Sequence, residues 1–93
     1  MSGRLGKRFY IVFAEPTARA HERGAATQAH LDYLKEIEAA GILFMAGPFV
    51  DEDGTSTGGG MFVLRAGSLN EAEAIAARDP YNAGGYRTFR VAP

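Results

Sequence analysis

Residues 42–65 read ILFMAGPFVDEDGTSTGGGMFVLR. Two apolar runs, Ile42–Ala46 and Met61–Arg65, flank Gly47-Pro48 and a polar segment rich in Gly, Asp, Ser and Thr. Apolar runs bounded by turn residues read as strands, and a connection this short makes them an antiparallel pair. Gly58-Gly59-Gly60 then belongs to a flexible hairpin connection. It is glycine-rich like a phosphate cradle, but a strand follows it where such a cradle needs a helix N-terminus. Asp51-Glu52-Asp53-Gly54 has the acid content of a calcium loop without the later ligands or the terminal Glu, so it reads as a solvated turn.

Working outward, Gln28–Ala40 precedes this hairpin and places Leu31, Leu34 and Ile37 at helical spacing, with Asp32, Lys35, Glu36 and Glu38 opposite. Thr27 is a plausible N-cap, and Gly41 closes the helix. Further upstream Arg8–Ala14, RFYIVFA, is aromatic and β-branched and reads as a strand covered on both faces, ended by Glu15-Pro16. Between them TARAHERGAAT has no clean period and is a loop or a short frayed helix. Downstream, Ser68 with Glu71 three residues on is a capping-box signature, and Leu69, Ala72, Ile75 and Ala76 form the stripe of a second helix that Pro80 limits. After the turn-like NAGG, Tyr86–Val91 alternates Tyr86, Thr88 and Arg90 with Arg87, Phe89 and Val91, as a fourth strand does. The order is β-α-β-β-α-β, the split βαβ or ferredoxin-like arrangement of the α+β class: a four-stranded antiparallel sheet with two helices on one face. One domain over residues 1–93 is expected, with residues 1–7 as a flexible N-terminus.

At 93 residues, the chain is expected to bury somewhat over about 60% of its unfolded surface, enough for one core. Hydrophobic residues make up 46% and charged residues 23%, the balance of an ordinary globular protein. A formal net charge of -1 supplies no broad field for phosphate backbones or anionic lipid, so neither nucleic acid nor membrane is an expected partner. The apolar runs are too short to span a bilayer and MSGRLGKR lacks a secretory stretch, so a cytoplasmic protein is expected. With no cysteine, disulfides, thiolate metal sites and thiol nucleophiles are excluded together. Helices on one sheet face leave the other face apolar, which predicts a homodimer in which two sheets meet. The alternative is a monomer with a polar second face, for which Arg65, Arg87 and Arg90 argue.

Two ionisable residues stand where the pattern does not call for charge. His30, Leu34, Ile37 and Gly41 fall at i, i+4, i+7 and i+11, so the imidazole faces the sheet. There it needs hydrogen-bond partners or loses about 1–3 kcal/mol for each unsatisfied polar atom. Asp79, in Arg78-Asp79-Pro80-Tyr81, sits at a helix C-terminus, where the macrodipole disfavours a carboxylate. It reads either as an Asx-type turn ahead of Pro80 or as a partner for His30, since helices of this fold lie side by side. His21 lies in a polar stretch and is expected to be exposed; a His21/His30 metal site lacks carboxylates to complete it.

Three stretches carry a resemblance. Ala29-His30-Leu31-Asp32-Tyr33-Leu34, Ala46-Gly47-Pro48 and Arg78-Asp79-Pro80-Tyr81-Asn82-Ala83-Gly84 resemble, in order and spacing, the aHLxYL, AGP and ADPYxxaG motifs of the YCII-related (YciI-like) family, from about Phe9 to the C-terminus. The resemblance implies a dimeric α+β barrel with a ferredoxin-like protomer and a His-Asp dyad at His30 and Asp79. The family is similar in fold to muconolactone isomerases, and some members act as dehydrochlorinases on chlorinated hydroxyhydroquinones. Relatives commonly carry an Arg three residues before the His. Here Thr27 stands at that position, so either the ligand differs or Arg23 reaches the site from the preceding loop.

A carboxylate that accepts a hydrogen bond from one ring nitrogen fixes the tautomer and leaves the other nitrogen as a base. Proton abstraction from a small cyclic substrate then needs donors for a developing oxyanion and a dry pocket. The expected function is accordingly cofactor-independent acid/base catalysis, by isomerisation or elimination, with His30 and Asp79 as catalytic groups. Tyr81, beside Asp79, is the better substrate-binding hydroxyl. Tyr33, about 300° around the helix from His30, either flanks the pocket mouth or packs on the helix edge. The competing expectation is a non-catalytic binding or accessory module in which the His-Asp pair joins two helices. A haem- or oxygen-linked activity has no evident axial ligand.

Overall fold

A computed structural model describes residues 7–93. The expected flexible N-terminus falls, except for Lys7, outside the described residues. Strands β1 (Arg8–Pro16), β2 (Leu43–Val50), β3 (Ser56–Ala66) and β4 (Arg87–Ala92) form one antiparallel sheet in the order β2-β3-β1-β4. Helices α1 (Thr27–Ala39), α2 (Leu69–Ala77) and α3 (Pro80–Ala83) complete the α+β, ferredoxin-like fold. The segment before α1 is a 3-10 helix, Ala20–Ala26.

Period-two alternation sets the layers. Tyr10, Val12 and Ala14 of β1 face Leu64, Phe62 and Gly60 of β3. Tyr10, Val12, Phe62 and Leu64 form the core with Ile37 of α1 and Ala72, Ile75 and Ala76 of α2. Val12 and Leu64 are fully buried. The alternate residues Phe9, Ile11, Phe13, Met61 and Val63 point to the opposite face, which no helix among the described residues covers. Phe9, Phe44 and Met45 are 54%, 52% and 50% exposed there. Arg65 lies over the rings of Phe9 and Phe44, and Arg90 over that of Phe13. RFYIVFA is therefore covered on one face of the chain, not two. Arg87, read beside Arg65 and Arg90 as polar surface, is on the helix side and only 9% exposed.

Several boundaries differ from the reading of the sequence. β2 runs through Gly47-Pro48 to Val50, because it is an edge strand and a proline there removes no ladder bond. β3 starts at Ser56, so the three glycines belong to the sheet and not to a flexible connection. A Cβ on Gly59 would lie 2.4 Å from the Ala14 carbonyl oxygen, and one on Gly60 2.8 Å from that of Gly47. Glycine here permits close approach of neighbouring backbones. Thr27 is the first residue of α1 and not its cap; Ala26 holds the cap position without a side-chain bond. Gly41, at φ 77°, does end α1, with Ile42 N–H donating to Ile37 O and Gly41 N–H to Glu38 O, a Schellman closure. Ser68 caps α2 by accepting from the Glu71 N–H. Among the described residues no helix is long and apolar enough to cross a membrane.

Candidate active site

The site begins at the end of α2. The last carbonyls of a helix lack intrahelical partners. Here the Tyr33 hydroxyl donates to Ile75 O at 2.7 Å and Asn82 Nδ2 to Ala76 O at 2.9 Å. A residue preceding proline is pushed out of the helical region. Asp79 accordingly has ψ 125° and caps α3, with Pro80 in the first turn. The unfavourable dipole expected at the end of α2 is thus met by a change of role, since Asp79 Oδ1 accepts from the Tyr81 N–H at 3.0 Å. The two readings of Asp79 prove compatible.

The same Oδ1 accepts from His30 Nδ1 at 2.7 Å. An ionised carboxylate only accepts, so opposite one Nδ1 carries the hydrogen, and in the neutral ring Nε2 then presents its lone pair. Asp79 is fully buried and His30 is 7% exposed. Tyr81 stacks on the imidazole with centroids 3.9 Å apart and planes 15° apart, and Phe62 lies 6.3 Å from it. The ring is therefore held by one hydrogen bond and one stacked neighbour. Among the described residues nothing bonds Nε2.

A cavity of about 340 Å³ reaches the imidazole between α1 and β2. That lies at the small end of the range for small-molecule sites. Leu31, Leu34 and Phe62 supply apolar wall, Ala46, Gly47 and Pro48 the rim, and Arg23, Tyr81 and Arg87 the polar part. Gly47-Pro48 reads as a turn in the sequence; as part of β2 it lines the cavity.

The candidates separate on this geometry. His30, Asp79 and Tyr81 come together. Arg23 does reach the cavity from the 3-10 helix, with Nη1 donating to Ala20 O at 2.9 Å. Tyr33 does not line the cavity, and its hydroxyl is committed to α2; burial pushes that phenol above its ordinary range. Tyr81 contributes a ring face more than a free hydroxyl. Thr27 Oγ1 donates to Arg23 O, which leaves it to accept from the Tyr81 hydroxyl at 2.8 Å. His21 is exposed beside Glu22.

Arg87 is the residue that sequence reasoning missed. Its Nε donates to Gly58 O at 2.8 Å and its guanidinium lies 4.6 Å from the Tyr81 centroid. Burial lowers its pKa from the ordinary value, while the Asp79 carboxylate and Tyr81 act in the opposite sense; an arginine remains charged regardless. The available signal was its alternation with Phe89 and Val91, which sets a cation on the core-facing side of β4.

Residues 8–93 match the YCII-related domain, and the chain belongs to that family. An uncharacterized protein of Haemophilus influenzae is 34% identical over 92 residues, spanning 91% of this chain and 94% of the relative. Among solved structures, 5-chloro-2-hydroxyhydroquinone dehydrochlorinase from Burkholderia phenoliruptrix AC1100, in complex with 2,5-dihydroxybenzoquinone, is similar with a TM-score of 0.75. At 20% identity over 92% of each chain, that similarity is one of fold.

Proposed function

We propose that this YCII-related chain is a small acid/base enzyme in which His30 takes up and returns a substrate proton and Asp79 orients it. The substrate class is a small cyclic or aromatic-derived compound, and the reaction an isomerisation or the elimination of a halide. The observation that carries the reading is that His30 bonds protein through Nδ1 and lines an open cavity. A histidine retained only to join two helices needs no such access.

The chemistry follows from the ring's placement. A substrate C–H or O–H presented to Nε2 transfers its proton there, and the Asp79 carboxylate stabilises the imidazolium formed. In an isomerisation the proton returns to another atom of the substrate. In an elimination the electron pair of the broken bond forms the new double bond as chloride leaves, and the imidazolium later releases its proton to water. The fold shared with a dehydrochlorinase supports this class and carries no substrate over. The open sheet face, with Phe9, Phe44 and Met45 exposed, supports a homodimer through that face.

Lactones and halogenated phenols and hydroquinones, assayed for turnover by wild type and His30→Ala, test the reading. A loss of about 10²- to 10⁴-fold in the variant is expected for a general base. Turnover that survives His30→Ala unchanged overturns it.

A further inference from the structure

Two guanidinium groups line the cavity that reaches His30, and among the described residues neither forms an ion pair. Arg87 is 91% buried by its 9% exposure, and only its Nε is committed, to Gly58 O. The Nη edge of its fork has no protein acceptor among the described residues. Arg23 spends one Nη1 bond on Ala20 O and approaches the same strand, its Nη1 lying 3.8 Å from where a Gly58 Cβ would stand. The Arg87 Nη1 lies 3.6 Å from the corresponding point on Gly60. Glycine at these positions leaves the approach to both cations open. The nearby acid, Asp79, has Oδ1 committed to His30 and Tyr81; its buried Oδ2 has no hydrogen-bond partner among the described residues, and its charge acts on Arg87 without a salt bridge between them.

A buried guanidinium whose nearest acid makes no salt bridge with it is incompletely compensated, and a planar fork with a free edge matches a carboxylate in bidentate fashion. Lysine would supply the charge without that geometry. Resting on the acid/base reading above, we propose that Arg87, assisted by Arg23, is the specificity-determining anion site and that the substrate is a small cyclic carboxylate. The carboxylate docks on the Arg87 fork, the ring lies against Leu31, Leu34 and Phe62, and a ring carbon is thereby presented to His30 Nε2. Thr27 fits the same picture: this chain supplies its cations from the 3-10 helix and from β4, not from the start of α1.

Benzoate and benzamide, nearly equal in shape and different in charge, are the probes. Dissociation constants come from amide and imidazole resonances of the full chain during NMR titration. Benzoate is expected to bind at least about tenfold tighter than benzamide, since hydrogen bonds to charged groups exceed neutral ones by that margin. Arg87→Gln is expected to abolish the preference and Arg87→Lys to reduce it, with retained folding read from the dispersion of the same spectra. Equal response to both probes in wild type, response to neither, or inorganic phosphate competing as tightly as benzoate each overturns the carboxylate assignment. Wild type alone decides these outcomes if a variant does not fold. His30→Ala separates this inference from the proposed function: the benzoate preference persists in it, whereas loss of turnover belongs to the base.

Discussion

At the scale of single residues, Asp79 shows how one carboxylate serves two ends. Its Oδ1 receives both the His30 ring and the Tyr81 N–H. Asp79→Ala strands two buried donors, at about 1–3 kcal/mol each, so urea denaturation is expected to record a loss of about 2 kcal/mol or more. Asp79→Asn keeps an Oδ1 acceptor and removes the charge that steadies an imidazolium, so its loss is expected in turnover and much less in stability. Equal stability of wild type and the alanine variant would show that the pair holds nothing together. The inward turn of His30 was legible from spacing alone, because a helical period needs only local backbone geometry. Its contact with Asp79 joins residues 49 apart in the chain, which no period encodes.

At the scale of elements, the ends of helices and the crossings of strands determine where the site groups lie. Tyr33 on α1 holds the end of α2 through Ile75 O and does not line the cavity. Tyr33→Phe is expected to cost about 0.5–1.5 kcal/mol in chemical denaturation and to leave turnover intact. Because burial, the largest cause, raises the phenol above its unfolded value, neutral Tyr33 favours the folded state. Its contribution is full below the ordinary tyrosine range of about 10 and is lost as pH climbs from there through the raised folded value. Stability measured against pH is expected to lack that alkaline component in the phenylalanine variant. Gly59 makes the strand counterpart. Alanine there brings Cβ within 2.4 Å of the Ala14 carbonyl, a clash with backbone. A loss of about 1–3 kcal/mol is expected, read as a lowered denaturation midpoint. A run of glycines reads locally as a breaker, and only the neighbouring strands reveal that it is a close approach.

For the whole molecule, the helices account for one sheet face and leave Phe9, Phe44 and Met45 more than half or half exposed on the other. With two sheets meeting, static light scattering at micromolar concentration is expected to return about twice the 10.0 kDa chain mass. A mass near one chain sinks the dimer proposal. Phe9→Asp is expected to shift the protein toward one-chain mass by placing charge in the apolar contact.

The amino-acid sequence by itself determined the order of the four strands and the two longer helices, the antiparallel β2–β3 pair, the inward face of α1 and the presence of a carboxylate at the break before Pro80. These follow from local preferences: side-chain period, capping residues and the restriction that proline imposes on its predecessor. Only the tertiary structure decided that His30 meets Asp79 beside a cavity, that Tyr81 stacks on the imidazole and bonds Thr27 through its hydroxyl, and that Arg87 lines that cavity. Each joins segments distant in sequence. Such contacts depend on which strands pair and in what register, and a shift of one residue in β4 would turn Arg87 to the other face of the sheet.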